Sequence, residues 1–377
     1  MKRPLGLAKA AKLKKSKTEG EKPLETAGKA EIDQPTAQEP DVNIDLDEGV
    51  EDEELAEIYG LFKTFEEATK ANPKLAMGLV NECDSLLRER KKLPARFHLC
   101  YGLGLLALAS FQDNSEDVAE GETPEEFVDA AIDRFDIGLE EEPDNKSLLA
   151  SKALALVNKI DEKLCRIKKS SHKAKCVQEN IAVVENAKKL LTHSIGCSEP
   201  DRPAAALYAL QQFLVCLEDL PKLEDTVASL YEWCGETWPK LDDSDPRAAE
   251  IIWQGVGDLH LAAGQRALAE LVGDESSDEE DGDDEDGDDE GLDLTSPLAK
   301  TTRKELALAI ENLEKVQKDE KPGVYVQIAE AKISLGNVTE NQSDQQKTYY
   351  REAIKLLKKA QRLGAGDFHE LIESLEE

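Results

Sequence analysis

The sequence is poor in the residues that build sheets and membrane spans. Aromatics make up 5% of its 377 residues, and there are only two methionines. Val, Ile and Thr are sparse outside a few short stretches, while Leu, Ala, Glu and Lys dominate, a bias toward helices over strands. No window approaches 18 consecutive apolar residues, so no transmembrane helix is expected. The basic N-terminus has no apolar h-region and does not read as a secretory signal.

Catalytic motifs are missing as well. No G-x4-G-K-[ST] phosphate loop, G-x-S-x-G elbow or H-E-x-x-H zinc helix occurs. None of His98, His172, His193, His260 and His369 forms the H-x-D half of an iron facial triad. Gly102-Leu103-Gly104 and Gly255-Val256-Gly257 lack a third glycine and lie in helical context, so they read as helix-packing glycines. Seven cysteines, at 83, 100, 165, 176, 197, 216 and 234, are scattered and never spaced C-x2-C. They are expected to be buried, reduced thiols in an intracellular protein and not zinc ligands. The sequence thus predicts a non-enzymatic protein with no cofactor, no metal and no catalytic residues.

Charge is abundant but unevenly placed. The formal net charge is -33, from 80 acidic and 47 basic residues. Residues 1–18 nevertheless hold seven basic residues and no acidic one, whereas 19–57 hold fifteen acidic against two basic. Residues 274–290, DESSDEEDGDDEDGDDE, hold thirteen acidic residues and no basic one. A field of this sign repels phosphate backbones and favours basic partners, so no direct contact with nucleic acid is expected.

In the tail, Lys2 and Arg3 are followed by ten residues and then by Lys14, Lys15, Ser16 and Lys17. Two basic clusters at this spacing form a bipartite nuclear-import pattern, able to meet two acidic, aromatic-lined pockets on an import receptor. A solvated tail or an RNA contact is the alternative. Residues 19–50, with Pro23, Pro35 and Pro40 and few apolar positions, read as a disordered acidic tether. Like-charge repulsion predicts that the acidic insertion, within a loop 273–297, is disordered too. Ser276 and Ser277 each have an acidic residue three positions later, which suits an acidophilic kinase. An inert solubilising spacer is the other reading.

Between these segments the apolar residues recur at helical spacing from about Glu51 onward, with Pro or Gly at most junctions. About a dozen helices are expected. They include 73–90, 95–111, 123–141, 144–167, one long helix over 171–196, 201–219, 245–272, 298–318, 322–336 and 343–363. Tetratricopeptide-like spacing recurs three times. His98, Tyr101, Gly102 and Leu105 match a first helix, and Ala131, Phe135, Gly138 and Pro143 a second. Trp253, Val256, Gly257 and His260 pair with Ala309, Leu313 and Val316. Tyr325, Ile328 and Ala329 pair with Ala353, Leu357 and Ala360. The small residues Gly102, Gly257 and Ala329 would let paired helices approach closely. The expected fold is all-α: a tetratricopeptide-like α-solenoid of about a dozen helices over residues 51–377, interrupted by the acidic loop and preceded by the disordered tail 1–50. His98 and His260 are expected in or near the core, as are Trp233, Trp238 and Trp253.

The opening run Lys2-Arg3-Pro4-Leu5-Gly6-Leu7-Ala8-Lys9-Ala10-Ala11-Lys12 resembles the N-terminus of the fungal enhancer of translation termination family. The order of parts that follows resembles that family over essentially the whole chain. The resemblance implies a non-enzymatic, mainly nuclear protein needed for correct translation termination, with a share in the cytoplasm left open. It further implies association with a 2-oxoglutarate- and iron-dependent prolyl dihydroxylase, and so a role in oxygen-dependent, hypoxic gene expression. The resulting expectation is an adaptor that holds the dihydroxylase, engages a nuclear import receptor and touches the termination machinery indirectly. The alternative is an acidic chaperone for basic proteins such as histones or ribosomal proteins. A docking module for a chaperone C-terminus is disfavoured, because stretches 97–105 and 253–260 are poor in the Lys and Arg that a carboxylate clamp needs.

Overall fold

The computed structural model describes residues 50–68, 72–111, 123–273, 292–317 and 321–376. These residues form helices joined by turns, with no strand among them. The helices are α1 (Glu53–Glu67), α2 (Pro73–Glu89), α3 (Ala95–Phe111), α4 (Pro124–Glu141), α5 (Lys146–Cys165), α6 (Ser170–Glu179), α7 (Ile181–Ser194), α8 (Asp201–Val215) and α9 (Glu224–Thr237). A 3-10 turn, Trp238–Lys240, leads to α10 (Pro246–Val272), α11 (Pro297–Leu313), α12 (Pro322–Asn337), α13 (Asp344–Arg362) and α14 (His369–Glu376).

The helix starts are written into the sequence. Thr123 and Glu126 form a reciprocal capping box at the head of α4, with Pro124 in the first turn. Asn72 before Pro73, Asn145 before α5, Ser296 before Pro297 and Ser343 before α13 each accept backbone N–H bonds in the same way.

The described residues form two compact units, one ending at Ile252 and the other covering Trp253–Glu377. In the first, α3 is apolar on nearly every side and thirteen of its seventeen residues are buried. Such a helix has to be surrounded. It packs against α1, α2, α4 and α5, and α5 in turn packs on α7 and α8. Phe97, Phe135, Leu79 and Leu148 are fully buried here. Each contributes about 2 kcal/mol of burial free energy. In the second unit, α10 lies against α11 at Gly257 and Gly264, α11 packs on α12 and α12 on α13, and α14 closes over Ala353 and Leu357 through Ile372.

Within each of the three repeat pairs the two helices are packed against each other. A β-carbon placed on Gly102 would collide with Cε1 of Phe135, so the Phe135 ring lies directly on the α3 backbone. Gly257 plays the same part beneath Leu313, where such a β-carbon would lie 2.6 Å away. In the third pair Ala329 is buried against Ala353 and Leu357, as the repeat spacing predicts. The closest approach there lies elsewhere, at Gly336 under the Tyr350 ring.

Several local expectations change. The single helix over 171–196 is two helices, α6 and α7, broken at Asn180. Its side-chain amide donates to the Cys176 carbonyl (2.8 Å), which draws the backbone out of helical geometry. The helices expected to reach 219 and 318 end at Val215 and Leu313. Leu217, Leu220 and Val316 are buried from the turns that follow, so the apolar rhythm outlasts the helix. Cys83, Cys100, Cys197 and Cys234 are buried as expected, but Cys165 and Cys216 are exposed and Cys176 is half-exposed. The two exposed thiols sit at the ends of α5 and α8, where helix faces leave the core.

Trp238 is a core residue and donates to the Gln211 side chain (2.7 Å). Trp233 is half-exposed, with the Lys188 ammonium 5.6 Å from its ring centre. Trp253 is partly buried against Leu313 and Val316. His98 is buried edge-on to Phe97, and burial together with Arg134 lowers its pKa, so it stays neutral in the core. His260 is partly buried, with Nδ1 2.6 Å from the Glu305 carboxylate.

Gly102→Ala should destabilise the protein by about 1–3 kcal/mol, because the Phe135 ring has no room to retreat. Gly323→Ala, at a position where an added β-carbon meets nothing within 4 Å, should leave stability within about 0.5 kcal/mol of the native value. Urea unfolding of the two variants checks the contrast.

Candidate functional site

The first unit contains a cleft of about 850 Å³ whose walls come from α1, α3, the start of α5 and residues 196–199. Its floor is aromatic. Tyr59 and Phe62, three residues apart on α1, face the same way and keep less than a tenth of their surface exposed. Burial raises the Tyr59 phenol further above its already high pKa, so it stays protonated.

Two arginines cover these rings. The Arg96 guanidinium lies 4.0 Å from the centre of the Tyr59 ring, and that of Arg202 lies 5.7 Å from the Phe62 ring. Arg202 also bonds Glu66, and its Nε lies 3.3 Å from Glu199. Burial, with Arg247 nearby, brings the Arg202 pKa down to about 10, which leaves it charged at neutral pH. One mostly buried cation therefore occupies both cleft carboxylates.

The opposite wall is held by polar contacts. Asn145 caps α5, accepting from Leu148 N at 3.1 Å. Lys146 Nζ donates to the carbonyls of Ile195 (2.7 Å) and Gly196 (3.3 Å), which ties the head of α5 to the end of α7. Ser147 Oγ lies 3.2 Å from Cys197 Sγ.

This arrangement suits binding. Glu66 and Glu199 are engaged by Arg202, and the exposed Lys63, Arg96 and Lys146 also line the cleft. An aromatic floor beneath a cationic rim fits an extended segment that presents an acidic side chain beside an apolar one. The cleft contains no histidine, and burial pushes the Cys100 thiol well above its usual pKa, away from the thiolate form a nucleophile needs. Among the described residues no group of three His, Cys, Asp or Glu is placed to hold a metal, and no helix is long and apolar enough to cross a membrane.

The import-tail residues Lys2, Arg3, Lys14, Lys15 and Lys17 lie outside the described residues, as do Ser276 and Ser277. The cleft cations escaped the sequence reading. Arg96 stands one position before the stretch scanned for a clamp, Lys146 follows a helix cap, and Lys63 is one of many surface lysines. Their convergence depends on how α1, α3 and α5 pack.

Comparison with known proteins sets these features in a family. The family model described as nuclear pore complex subunit Nro1 matches residues 1–246 and 250–376. The chain belongs to the Nro1 family. It is similar to Enhancer of translation termination 1 of Yarrowia lipolytica, 34% identical over 366 residues that cover 92% of this chain and 90% of that protein. It is also similar to the protein of that name in Saccharomyces cerevisiae, 25% identical over 420 residues, with 99% of this chain and 98% of that one covered. Two solved structures share the fold. One is the S. pombe nuclear import adaptor Nro1, with a TM-score of 0.56, 21% identity, and 87% and 98% of the two chains covered. The other is of Nro1 described as a hypoxic regulator of sterol synthesis and a nuclear import adaptor, with a TM-score of 0.57, 22% identity, and 85% and 92% coverage. The Nro1-family likeness therefore runs along essentially the whole chain and agrees with the all-helical fold.

Proposed function

We propose that this protein is a non-enzymatic nuclear adaptor. It binds a 2-oxoglutarate- and iron-dependent prolyl dihydroxylase through its helical surface, and its basic tail carries the complex to the import machinery. Through that partner it acts in translation termination and in oxygen-dependent gene expression. Its working compartment is the nucleus.

The observation that carries this reading is the cleft of the first unit, a preformed concave surface with aromatic rings at its base and basic side chains along its walls. The relatives named for translation termination, and the neighbours described as import adaptors, support the same reading. So does the division of charge. A tail with seven basic residues on a chain of net charge -33 is a separate electrostatic module, able to reach an acidic receptor that the rest of the chain would repel. Lys2 and Arg3 would fill one receptor pocket, and Lys14, Lys15 and Lys17 the other.

Titration of the full chain against the purified dihydroxylase should give sub-micromolar binding at 0.15 M salt that survives at 0.5 M. Lys63→Glu combined with Arg96→Glu should weaken it at least tenfold. Binding that vanishes at 0.5 M salt and ignores the two substitutions would shift recognition to the anionic segments, and the reading to an acidic chaperone of basic proteins.

Removal of residues 1–18 should abolish nuclear accumulation in cells while leaving dihydroxylase affinity unchanged. Undiminished accumulation would remove the import role of the tail.

A further inference from the structure

Of the seven cysteines, two are exposed, Cys165 and Cys216. Both stand at helix ends in the first unit. Cys165 is the last residue of α5, and Cys216 caps α8. Residues 166–215, which contain α6, α7 and α8, separate them in the chain.

The packing brings these two ends together. The head of α5 is tied to the chain just before α8. Lys146 Nζ donates to the carbonyls of Ile195 (2.7 Å) and Gly196 (3.3 Å), and Ser147 Oγ lies 3.2 Å from Cys197 Sγ. From that shared start α8 packs along α5 in the same direction. Cys165 lies 18 residues beyond Ser147, and Cys216 lies 19 beyond Cys197. Leu164, Leu214 and Leu217 bury the two ends in the core, at 3%, 0% and 1% exposure, while the cysteines beside them reach solvent. The two thiols are within electrostatic reach of each other. Partial burial raises the Cys165 pKa, followed by Asp161 and Glu162 on its own helix and by Cys216 across from it, whereas Lys173 of α6 lowers it.

We propose that Cys165 and Cys216 are a thiol pair that a small-molecule disulfide oxidises to an intrachain disulfide, which restrains the segment between them. One cysteine thiolate attacks a sulfur of the small disulfide, whose S–S bond breaks and releases a first thiolate. The other cysteine, deprotonated, then attacks the protein sulfur of the mixed disulfide and expels the second. The pair loses two electrons, the small disulfide gains them, and the two cysteine protons end on the two released thiols. Both cysteines occupy final turns, the parts of a helix that open most easily, so their sulfurs can reach bonding distance without disturbing the core. The acids beside Cys165 disfavour its thiolate, so the reduced pair lacks the stabilisation that makes a disulfide easily reducible. The same setting keeps thiolate scarce at neutral pH, and bond formation quickens as pH rises. The closed loop contains the 195–199 wall of the cleft and the thinly anchored α6, whose buried residues are Ala174 and Val177.

Incubation of the reduced full chain with oxidised glutathione tests this. Peptide mapping without reductant should show a Cys165–Cys216 link, with no glutathione retained on either residue, and dithiothreitol should reverse it. The rate of formation should rise roughly tenfold from pH 7 to pH 8. Cys165→Ser, at an exposed position, should leave glutathione on Cys216 as a lasting mixed disulfide, and Cys216→Ser should do the same at Cys165. Cys176→Ser, which removes the half-exposed thiol of α6, should change neither the rate nor the product. Lasting glutathione on both cysteines of the native chain would overturn the proposal. So would a link from either to Cys176, a disulfide-linked dimer, or no modification of the pair. As a second readout, amide exchange in α6 should slow roughly fivefold in the oxidised chain. Unchanged exchange there would overturn the restraint assigned to the bond.

Discussion

Close approach between a small residue on one helix and a large side chain on its partner sets the spacing of this protein. Phe135 rests on the backbone at Gly102, Leu313 on that at Gly257, and Tyr350 on that at Gly336. Each contact brings two helices near enough for their larger neighbours to interdigitate, which a β-carbon at the glycine would prevent. In the first unit it also fixes the depth at which α3 lies among α1, α2, α4 and α5. That depth puts Arg96, at the exposed start of α3, over the Tyr59 ring and within reach of the head of α5. The cleft follows from the packing, and its charges from the few side chains that project where the helices diverge.

Electrostatics adds a second constraint. The chain holds 80 acidic residues against 47 basic ones, and several of its cations are paired with carboxylates, as Lys152 is with Asp136 and Lys332 with Glu352. The sites of interest are where that matching is redirected. In the cleft, Arg202 takes up Glu66 and Glu199 together, and Lys63, Arg96 and Lys146 line the same walls. Local positive surfaces on a strongly anionic molecule select anionic segments at short range while the overall field repels extended polyanions.

Much of the architecture can be read from the sequence, because the cues are local. Thr123 with Glu126, Asn72 with Pro73 and Ser296 with Pro297 mark helix starts by chemistry that acts within four residues. The repeat spacing around Gly102 and Phe135 identifies partners because a glycine in an apolar helix has few other uses. The failures share the opposite property. Asn180 breaks a helix through one side-chain bond to Cys176, in competition with a favourable apolar rhythm on both sides. Cys165 and Cys216 look like core thiols until the helix ends expose them. The cleft was illegible for the same reason: Lys63, Arg96 and Lys146 lie on three helices, and nothing in their spacing along the chain announces that they converge.

The central claim is that recognition belongs to the packed helical surface around the cleft and not to the acidic stretches. Hydrogen–deuterium exchange of the full chain, alone and saturated with the prolyl dihydroxylase, tests it most directly. The account predicts slowed exchange on complex formation in α1, at the start of α3, and across residues 145–147 and 195–199. Protection confined to the second unit, or slowed exchange limited to the acidic segments 19–57 and 274–290, would contradict it.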